Sequence, residues 1–209
     1  MRVGILSGLF DPIHDGHVQL ALAAAKAAQL DTVYFLVEGN PRRKSGVTHQ
    51  AHRIAMVKRA IAKQPKLQLL ELPDRQFSVA RTLPRLQQKF KDDSLVLIAG
   101  SDWLEHMPSW PLVHRLLEQT SLVLARRGKT TSKTIKEGLA ALPTNPSGLW
   151  IISSPKPNLS SKKIRTSLMA GRQARGLDKD VRSYIKQHWL YVLPSSSASS
   201  SSLSGNSDS

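Results

Sequence analysis

The chain has 209 residues, with 30 Lys or Arg against 15 Asp or Glu, a formal net charge of +15 and no cysteine. This length suits one domain with a substantial core, and the lack of thiols excludes a disulfide framework and thiolate chemistry. The sequence contains no apolar run near the roughly 20 residues of a membrane-spanning helix, and its first residues do not resemble a signal peptide. We therefore expect a cytoplasmic protein without a membrane partner.

Apolar runs alternate with amphipathic stretches along the chain. The runs predict strands at 3–7, 32–38, 67–72, 94–100, 121–125 and 149–153. The amphipathic stretches predict helices at 16–30, 48–63, 78–90, 111–118, 131–141, 161–170 and 178–187. Short apolar strands separated by helices are typical of a parallel sheet covered on both faces. We predict an α/β, doubly wound, Rossmann-like fold whose mostly parallel sheet has five to six strands.

The positive charge allows three interpretations: attraction of anionic small molecules, binding of nucleic acid, or a solvated surface. Aromatic residues make up only 5% of the chain and do not alternate with basic residues, as they do in many nucleic-acid binders. We interpret most of the charge as solvated surface and expect no specific nucleic-acid partner. One domain is predicted over residues 1–193, followed by a disordered Ser-rich tail at 194–209. The oligomeric state is left open.

The first predicted strand is joined to the first helix by the segment Gly8-Leu9-Phe10-Asp11-Pro12-Ile13-His14-Asp15-Gly16-His17. A helix N-terminus presents N–H groups and a positive dipole end to anions. We expect Asp15 to be the N-cap, and Gly16 to let a ligand approach the backbone. His14 and His17 would then point into the same space and donate to phosphate oxygens. The alternative is an incidental pair or half of a zinc site, but the chain has no cysteine to complete one. No metal ligands are predicted.

This segment resembles the G-x-F-D-P-x-H-x-G-H signature of nucleotidyltransferases with a His-x-Gly-His motif. Within that superfamily the chain most resembles bacterial nicotinate-nucleotide adenylyltransferases, over roughly residues 1–193. The resemblance implies transfer of AMP from ATP to the 5′-phosphate of nicotinate mononucleotide, giving deamido-NAD and pyrophosphate, with Mg²⁺ bound mostly through ATP. It implies that His14 and His17 act at the α-phosphate and that Gly8 and Phe10 contribute to the ATP site. Asp11 is left without a metal role.

Further motifs follow in the order that the family shows. Pro41, Lys44 and Arg53 match its Pro-x-x-Lys and the Arg of the next helix, which implies that Lys44 reaches the triphosphate. Taken alone, this basic loop would be a solvated surface. The segment Gly100-Ser101-Asp102 is similar to the family's Gly-x-Asp, which implies a ribose contact from Asp102 and a role for Gly100 in the nucleotide site. The alternative is that Ser101 or Asp102 caps the following helix.

A last phosphate motif begins the helix after the sixth predicted strand. Ser161 is the expected N-cap, and Arg165 lies one turn later on the same face. The segment 159–165 resembles the family's Ile-Ser-Ser-Thr-x-Ile-Arg, with Lys162 in place of Thr. The resemblance implies that Ser160, Ser161 and Arg165 hold the β- and γ-phosphates.

The acceptor site is less well defined by the sequence. Trp110 matches the family tryptophan that stacks on the nicotinate ring, although it can also seal the core. By resemblance, Ala80, Arg81 and Thr82 also contact the acceptor, and Arg81 offers a cation to a carboxylate. Three departures put the acceptor in doubt, and they are Leu9 for Thr, Ser78-Val79 for Tyr-Thr, and Pro111, which has no N–H, after Trp110.

Because of the resemblance, nicotinate mononucleotide is still the first choice of acceptor. Nicotinamide mononucleotide and phosphopantetheine remain alternatives within the superfamily. A basic RNA-binding protein on the same fold is the alternative that is not an enzyme.

Overall fold

The computed structural model describes residues 1–39, 46–74, 76–126 and 130–192. Within these ranges one sheet contains the strands β1 (Arg2–Gly8), β2 (Thr32–Val37), β3 (Leu67–Leu70), β4 (Ser94–Gly100), β5 (Ser121–Arg126) and β6 (Leu149–Ser153). Every neighbouring pair is parallel, in the order β3-β2-β1-β4-β5-β6. The predicted doubly wound, Rossmann-like sheet is confirmed. Strand order reverses between β1 and β4, which is where such sheets bind ligands beyond their carboxyl ends.

The described residues also form the α-helices α1 (Asp15–Ala27), α2 (Gln50–Ile61), α3 (Val79–Lys89), α4 (Val113–Gln119), α5 (Ser132–Ala140), α6 (Ser161–Met169) and α7 (Lys179–Gln187). Each coincides with a predicted helix within a few residues at either end. Two short 3-10 helices, Ser101–Glu105 and Met107–Ser109, were not predicted. They are too short to display a helical repeat of apolar residues, and Pro108 interrupts the segment.

Helices cover both faces of the sheet. Buried side chains of α1, α2, α6 and α7 pack on one face, and those of α3, α4 and α5 pack on the other. The predicted covering of both faces is confirmed, although at the edge strand β6 the Ile151 side chain is 47% exposed. None of the helices in these ranges is long and apolar enough to cross a membrane.

Two of the helices that frame the site are followed by a residue with left-handed backbone dihedral angles. Gln29 has a φ of 50°, and Leu30 donates to the carbonyl of Ala25 at 2.8 Å, so α1 ends earlier than predicted. After α7, Trp189 has a φ of 49° and Leu190 donates to the carbonyl of Ile185 at 3.0 Å. These turns send the chain back towards the sheet. The second one directs the residues that follow α7 to the carboxyl end of β1.

Arg53, on α2, is 0% exposed and is the largest fully buried side chain among the described residues. Its Nη1 donates to the carbonyl oxygens of Leu9 and Glu38, each at 2.7 Å. Its Nε donates to Thr48 at 2.8 Å and its Nη2 to Gly39 at 2.9 Å. The guanidinium therefore joins the chain segments that leave β1 and β2. Burial lowers its pKa, while the nearby Asp11 carboxylate raises it.

We expect Arg53→Met to lower the free energy of unfolding by at least about 3 kcal/mol, because several buried carbonyl groups lose a charged donor together. The measurement is urea denaturation followed by circular dichroism. Lys58→Met on the same helix is the control, since Lys58 pairs with Glu71 at the surface at 3.3 Å. That change should cost less than about 1 kcal/mol. Equal losses in the two variants would contradict a structural role for Arg53.

Candidate active site

A crevice lies beyond the carboxyl ends of β1, β2 and β4. Gly8 at the end of β1 and Leu9 after it line this crevice, as does Glu38, which follows β2. The first 3-10 helix, which follows β4, contributes Trp103. The His14/His17 segment enters the same region as the start of α1. The strand order thus brings the His14/His17 segment and the segment that contains Asp102 to one edge of the sheet.

The N-cap of α1 is His14, not Asp15 as predicted. His14 has the extended dihedral angles of a cap (φ −146°, ψ 168°), and Asp15 is already the first helical residue. The N–H of Asp15 donates to the carbonyl of Gly176 at 2.9 Å, so this amide is bonded within the protein. The N–H of His14 donates to Nδ1 of His17 at 3.3 Å. Because Nδ1 accepts, the proton of the neutral His17 ring is on Nε2, which can donate to an anion.

The two imidazole rings are stacked. Their centroids lie 3.8 Å apart with an interplanar angle of 23°. A Cβ at position 16 would lie 2.9 Å from the His14 ring, so Gly16 makes room for that ring. His14 is 3% exposed, whereas His17 is partly exposed. His17 is therefore the better placed of the two to meet a phosphate.

Phe10 lies beneath this pair as part of the core. Its side chain is 3% exposed, and its ring packs edge-on against His17, with centroids 5.1 Å apart, and tilted against Phe35, with centroids 5.3 Å apart. Its φ of 50° turns the backbone sharply after β1. The Phe10 side chain thus supports the His17 ring. Because the Phe10 side chain is buried, only its main chain could contact a nucleotide.

Asp11 connects three distant segments of the chain. Its carboxylate is 4% exposed and accepts a hydrogen bond from the Tyr191 hydroxyl at 2.6 Å. Nη1 of Arg165 donates to the Asp11 main-chain oxygen at 2.6 Å and lies 3.8 Å from Oδ2. Burial, followed by the bond to Asp11, raises the pKa of Tyr191, so its hydroxyl stays protonated and donates. Tyr191 was missed because no local sequence pattern relates it to Asp11.

The start of α6 is fixed against the same segment. Ser160, rather than the predicted Ser161, is the N-cap, and its hydroxyl accepts from the N–H of Lys163 at 3.3 Å. The hydroxyl of Ser161 instead donates to the carbonyl of Pro12 at 2.9 Å. Together with Arg165, this bond places the two phosphate motifs predicted from the sequence side by side.

An aromatic cavity of about 250 Å³ adjoins the end of β1. It is lined by Ser7, Gly8, Leu9, Glu38, Phe77, Trp103 and Trp110. The rings of Trp103 and Trp110 meet edge to face, with centroids 5.0 Å apart. Trp110 is thus in a cavity, as an acceptor-binding role requires. The contributions of Glu38 and Phe77 were not predicted, since both depend on which loops meet at the sheet edge.

The other residues predicted to contact the acceptor lie elsewhere. Thr82 is 0% exposed, and its hydroxyl accepts from the N–H of Ser78 at 3.0 Å, so this side chain secures the start of α3. Ala80 and Arg81 are exposed on the first turn of α3 and do not line the aromatic cavity. The structure therefore gives Thr82 a structural role and leaves the other two at the surface.

At the end of β4, Gly100 is the N-cap of the first 3-10 helix, and Asp102 is exposed within that helix. Neither Ser101 nor Asp102 caps it through a side chain, so the capping alternative is wrong. The Ser101 hydroxyl donates to Thr130 at 3.1 Å. Lys44, the remaining predicted phosphate ligand, lies outside the described residues.

Comparisons with known proteins agree with this architecture. The cytidylyltransferase-like family matches residues 5–167. A Thermus thermophilus protein named probable nicotinate-nucleotide adenylyltransferase is 34% identical over 197 residues, covering 91% of this chain and 100% of the relative. A Neisseria meningitidis protein of the same name is 31% identical, covering 91% and 98% of the two chains.

Among solved structures, Plasmodium falciparum nicotinic acid mononucleotide adenylyltransferase complexed with NaAD matches with a TM-score of 0.75 and 18% identity. The match covers 91% of this chain and 97% of that chain. At this identity the likeness concerns the fold alone.

We expect Tyr191→Phe to lower the free energy of unfolding by about 1.5–3 kcal/mol, because a buried carboxylate loses its hydroxyl donor. Tyr184→Phe is the matched control, since the Tyr184 hydroxyl bonds to the His52 ring at 2.9 Å instead of to a carboxylate. That change should cost only about 0.5–1.5 kcal/mol. The measurement is urea denaturation of both variants, and a smaller loss for Tyr191→Phe than for Tyr184→Phe would contradict the role of the Asp11 contact.

Proposed function

The chain belongs to the nicotinate-nucleotide adenylyltransferase family of cytidylyltransferase-like nucleotidyltransferases, and on that premise we propose that it transfers AMP from ATP to the 5′-phosphate of a pyridine mononucleotide. Nicotinate mononucleotide is the acceptor that the relatives' names support, and the products would be deamido-NAD and pyrophosphate. The observation that carries the proposal is the stacked His14/His17 pair. It belongs to the same segment as Asp11, whose main chain is bonded to Arg165 of α6, and as Gly8 and Leu9, which line the aromatic cavity.

The reaction needs no protein base. An oxygen of the acceptor's 5′-phosphate attacks the α-phosphorus of ATP in line, the new P–O bond forms, and the bond to the bridging oxygen of the β-phosphate breaks. The nucleophile is already an anion, and pyrophosphate leaves with the electron pair. Catalysis then depends on orientation, which contributes about 7–11 kcal/mol, and on donors to the developing charge, each contributing about 3–4 kcal/mol.

His17 is the proposed donor to the α-phosphate through Nε2. The stacked His14 ring fixes the orientation of His17, and the bond from the His14 N–H to Nδ1 of His17 fixes its tautomer. Arg165, Ser160 and Lys44 are proposed to hold the leaving pyrophosphate. The hydrogen bond from Arg165 to the Asp11 main-chain oxygen supports this role, because it holds the guanidinium against the segment that contains His14 and His17.

Adenosine is proposed to lie at the end of β4, with Gly100 at the ribose and Asp102 accepting from its hydroxyls. The exposure of Asp102 supports this role, because a carboxylate left in water can exchange water for a diol. Gly8 would line the floor between ATP and the acceptor. Mg²⁺ is proposed to enter as Mg·ATP, held mostly by ATP oxygens and water.

The decisive experiment measures pyrophosphate release from Mg·ATP with nicotinate mononucleotide, nicotinamide mononucleotide and phosphopantetheine offered separately. Release with a pyridine mononucleotide supports the proposal. Release with phosphopantetheine alone, or with none of the three, overturns it.

We expect His17→Ala to lower kcat by at least about 100-fold with little change in Tm, because a donor to the transition state is lost from a partly exposed position. Steady-state kinetics with saturating Mg·ATP and acceptor measures this. His114→Ala, at an exposed position on α4, is the control and should keep wild-type turnover. Wild-type turnover in His17→Ala would contradict the assignment.

We expect Trp110→Ala to raise the KM for the acceptor by about threefold to tenfold while leaving the KM for ATP unchanged, because stacking on the pyridine ring is lost. Trp189→Ala removes a tryptophan that is 78% exposed and should change neither constant. An increase confined to the KM for ATP would show that Trp110 does not bind the acceptor base.

A further inference from the structure

The last strand of the sheet, β6, presents an apolar edge to solvent. It pairs with β5 on one side, and no described strand pairs with it on the other. The side chains of Leu149 and Ile151 are 37% and 47% exposed. Their partners in β5, Leu122 and Leu124, are buried in the core on the side of α3, α4 and α5. An edge strand of this kind offers both main-chain groups and apolar surface to another strand.

The hydrogen bonds between β5 and β6 decide which main-chain groups face outward. The carbonyl of Gly148 accepts from the N–H of Leu122 at 2.8 Å, and the N–H of Ser154 donates to the carbonyl of Arg126 at 3.0 Å. Along a strand, residues that bond to one neighbour alternate with residues whose N–H and C=O groups point the other way. The odd-numbered residues of β6 therefore direct these groups away from the sheet. They are also the residues of β6 whose side chains are exposed.

This edge is also free of charge. No charged residue occurs between Glu137 and Lys156, although the chain carries a formal net charge of +15. Two copies of so basic a chain repel each other over most of their surfaces, so they can meet at least cost along an uncharged stretch. The opposite edge strand, β3, differs, since it has only four residues and is flanked by Lys66 and Glu71. Short length and charge are the usual protections of an edge against pairing, and β6 has no charge to protect it.

A second copy of the same strand fits this edge. The antiparallel register that opposes all of the outward-facing residues is centred on Ile151. It places Ile151 opposite the second copy's Ile151, and Leu149 opposite the second copy's Ser153. Each opposed pair can then exchange two main-chain hydrogen bonds. Pro146 and Pro155 flank the strand, and because proline has no N–H they confine the pairing to the residues between them.

We propose that β6 is the interface of a two-fold symmetric dimer, in which the antiparallel β6 strands of two copies join their sheets into one. Leu149 and Ile151 are then covered by the side chains of the second copy. Such a contact is self-complementary and uses up the edge, so assembly stops at two copies. The interface involves none of the residues assigned to adenylyl transfer, and it does not depend on that proposal.

The test measures the mass of the full-length chain by sedimentation equilibrium at micromolar concentration, in the wild type, Ile151→Lys and Ile151→Glu. Each substitution places two like charges opposite each other at the two-fold axis, which disfavours pairing. Because the Ile151 side chain is already exposed in the single chain, both variants should fold, and circular dichroism checks this. Val192→Lys is the matched control, since Val192 is 52% exposed on another surface, after α7.

The wild type and Val192→Lys should have twice the mass of one chain, whereas each Ile151 variant alone should have the mass of one. An equimolar mixture of Ile151→Lys and Ile151→Glu should regain the doubled mass, because position 151 then faces the opposite charge. A mixture that stays at the mass of one chain would overturn the register, and a dimer that the Ile151 variants leave intact would overturn the interface.

A wild type with the mass of one chain overturns the proposal as well. If that chain reaches the doubled mass only after residues 193–209 are deleted, those residues, and not a second copy, occupy the edge of β6.

Discussion

The site depends on one buried cation. The Arg53 guanidinium satisfies main-chain oxygens of Leu9 and Glu38 at once, and these residues begin the two segments that leave the central strands. Parallel strands end with carbonyl groups that no neighbour continues to satisfy, and a buried carbonyl without a donor is costly. One rigid, planar group with five N–H donors can satisfy several such carbonyls, which lysine cannot do. The relative positions of the His14/His17 segment and the aromatic cavity follow from this contact.

A second set of contacts closes the other side of the His-containing segment. Asp11 accepts from Tyr191 after α7, while Arg165 and Ser161 of α6 donate to the main chain at Asp11 and Pro12. Hydrogen bonds thus hold the segment on two sides, from Arg53 of α2 and from the residues of α6 and those that follow α7. Such constraint holds the stacked imidazoles within a narrow geometry, as catalysis by positioning would require.

The strands, the helices and the nature of the first motif could be predicted from the sequence, because each is encoded locally. Apolar periodicity locates strands such as β4, whose bounds agree with the prediction. The predicted start of the first helix puts His14 and His17 at a helix N-terminus, where His14 is the N-cap and His17 lies in the first turn. The predictions failed where a tertiary contact overrides a local preference. Thr82, predicted to contact the acceptor, is bonded to the start of α3 instead, and Arg53, for which the sequence predicted no definite role, turns into the core. Tyr191 and Glu38 acquire their roles from partners 180 and 31 residues away, which no local pattern reveals.

The separation between Asp11 and Tyr191 also has a consequence for the order in which the protein is made. The two residues that share this 2.6 Å bond are 180 positions apart. At a translation rate of roughly 5–20 residues per second, the ribosome adds Tyr191 on the order of 10–40 s after Asp11. During that interval the nascent chain can form the pairing of β1 with β2 but lacks the hydroxyl donor for Asp11. The first segment of the site to be synthesised is therefore among the last to be completed.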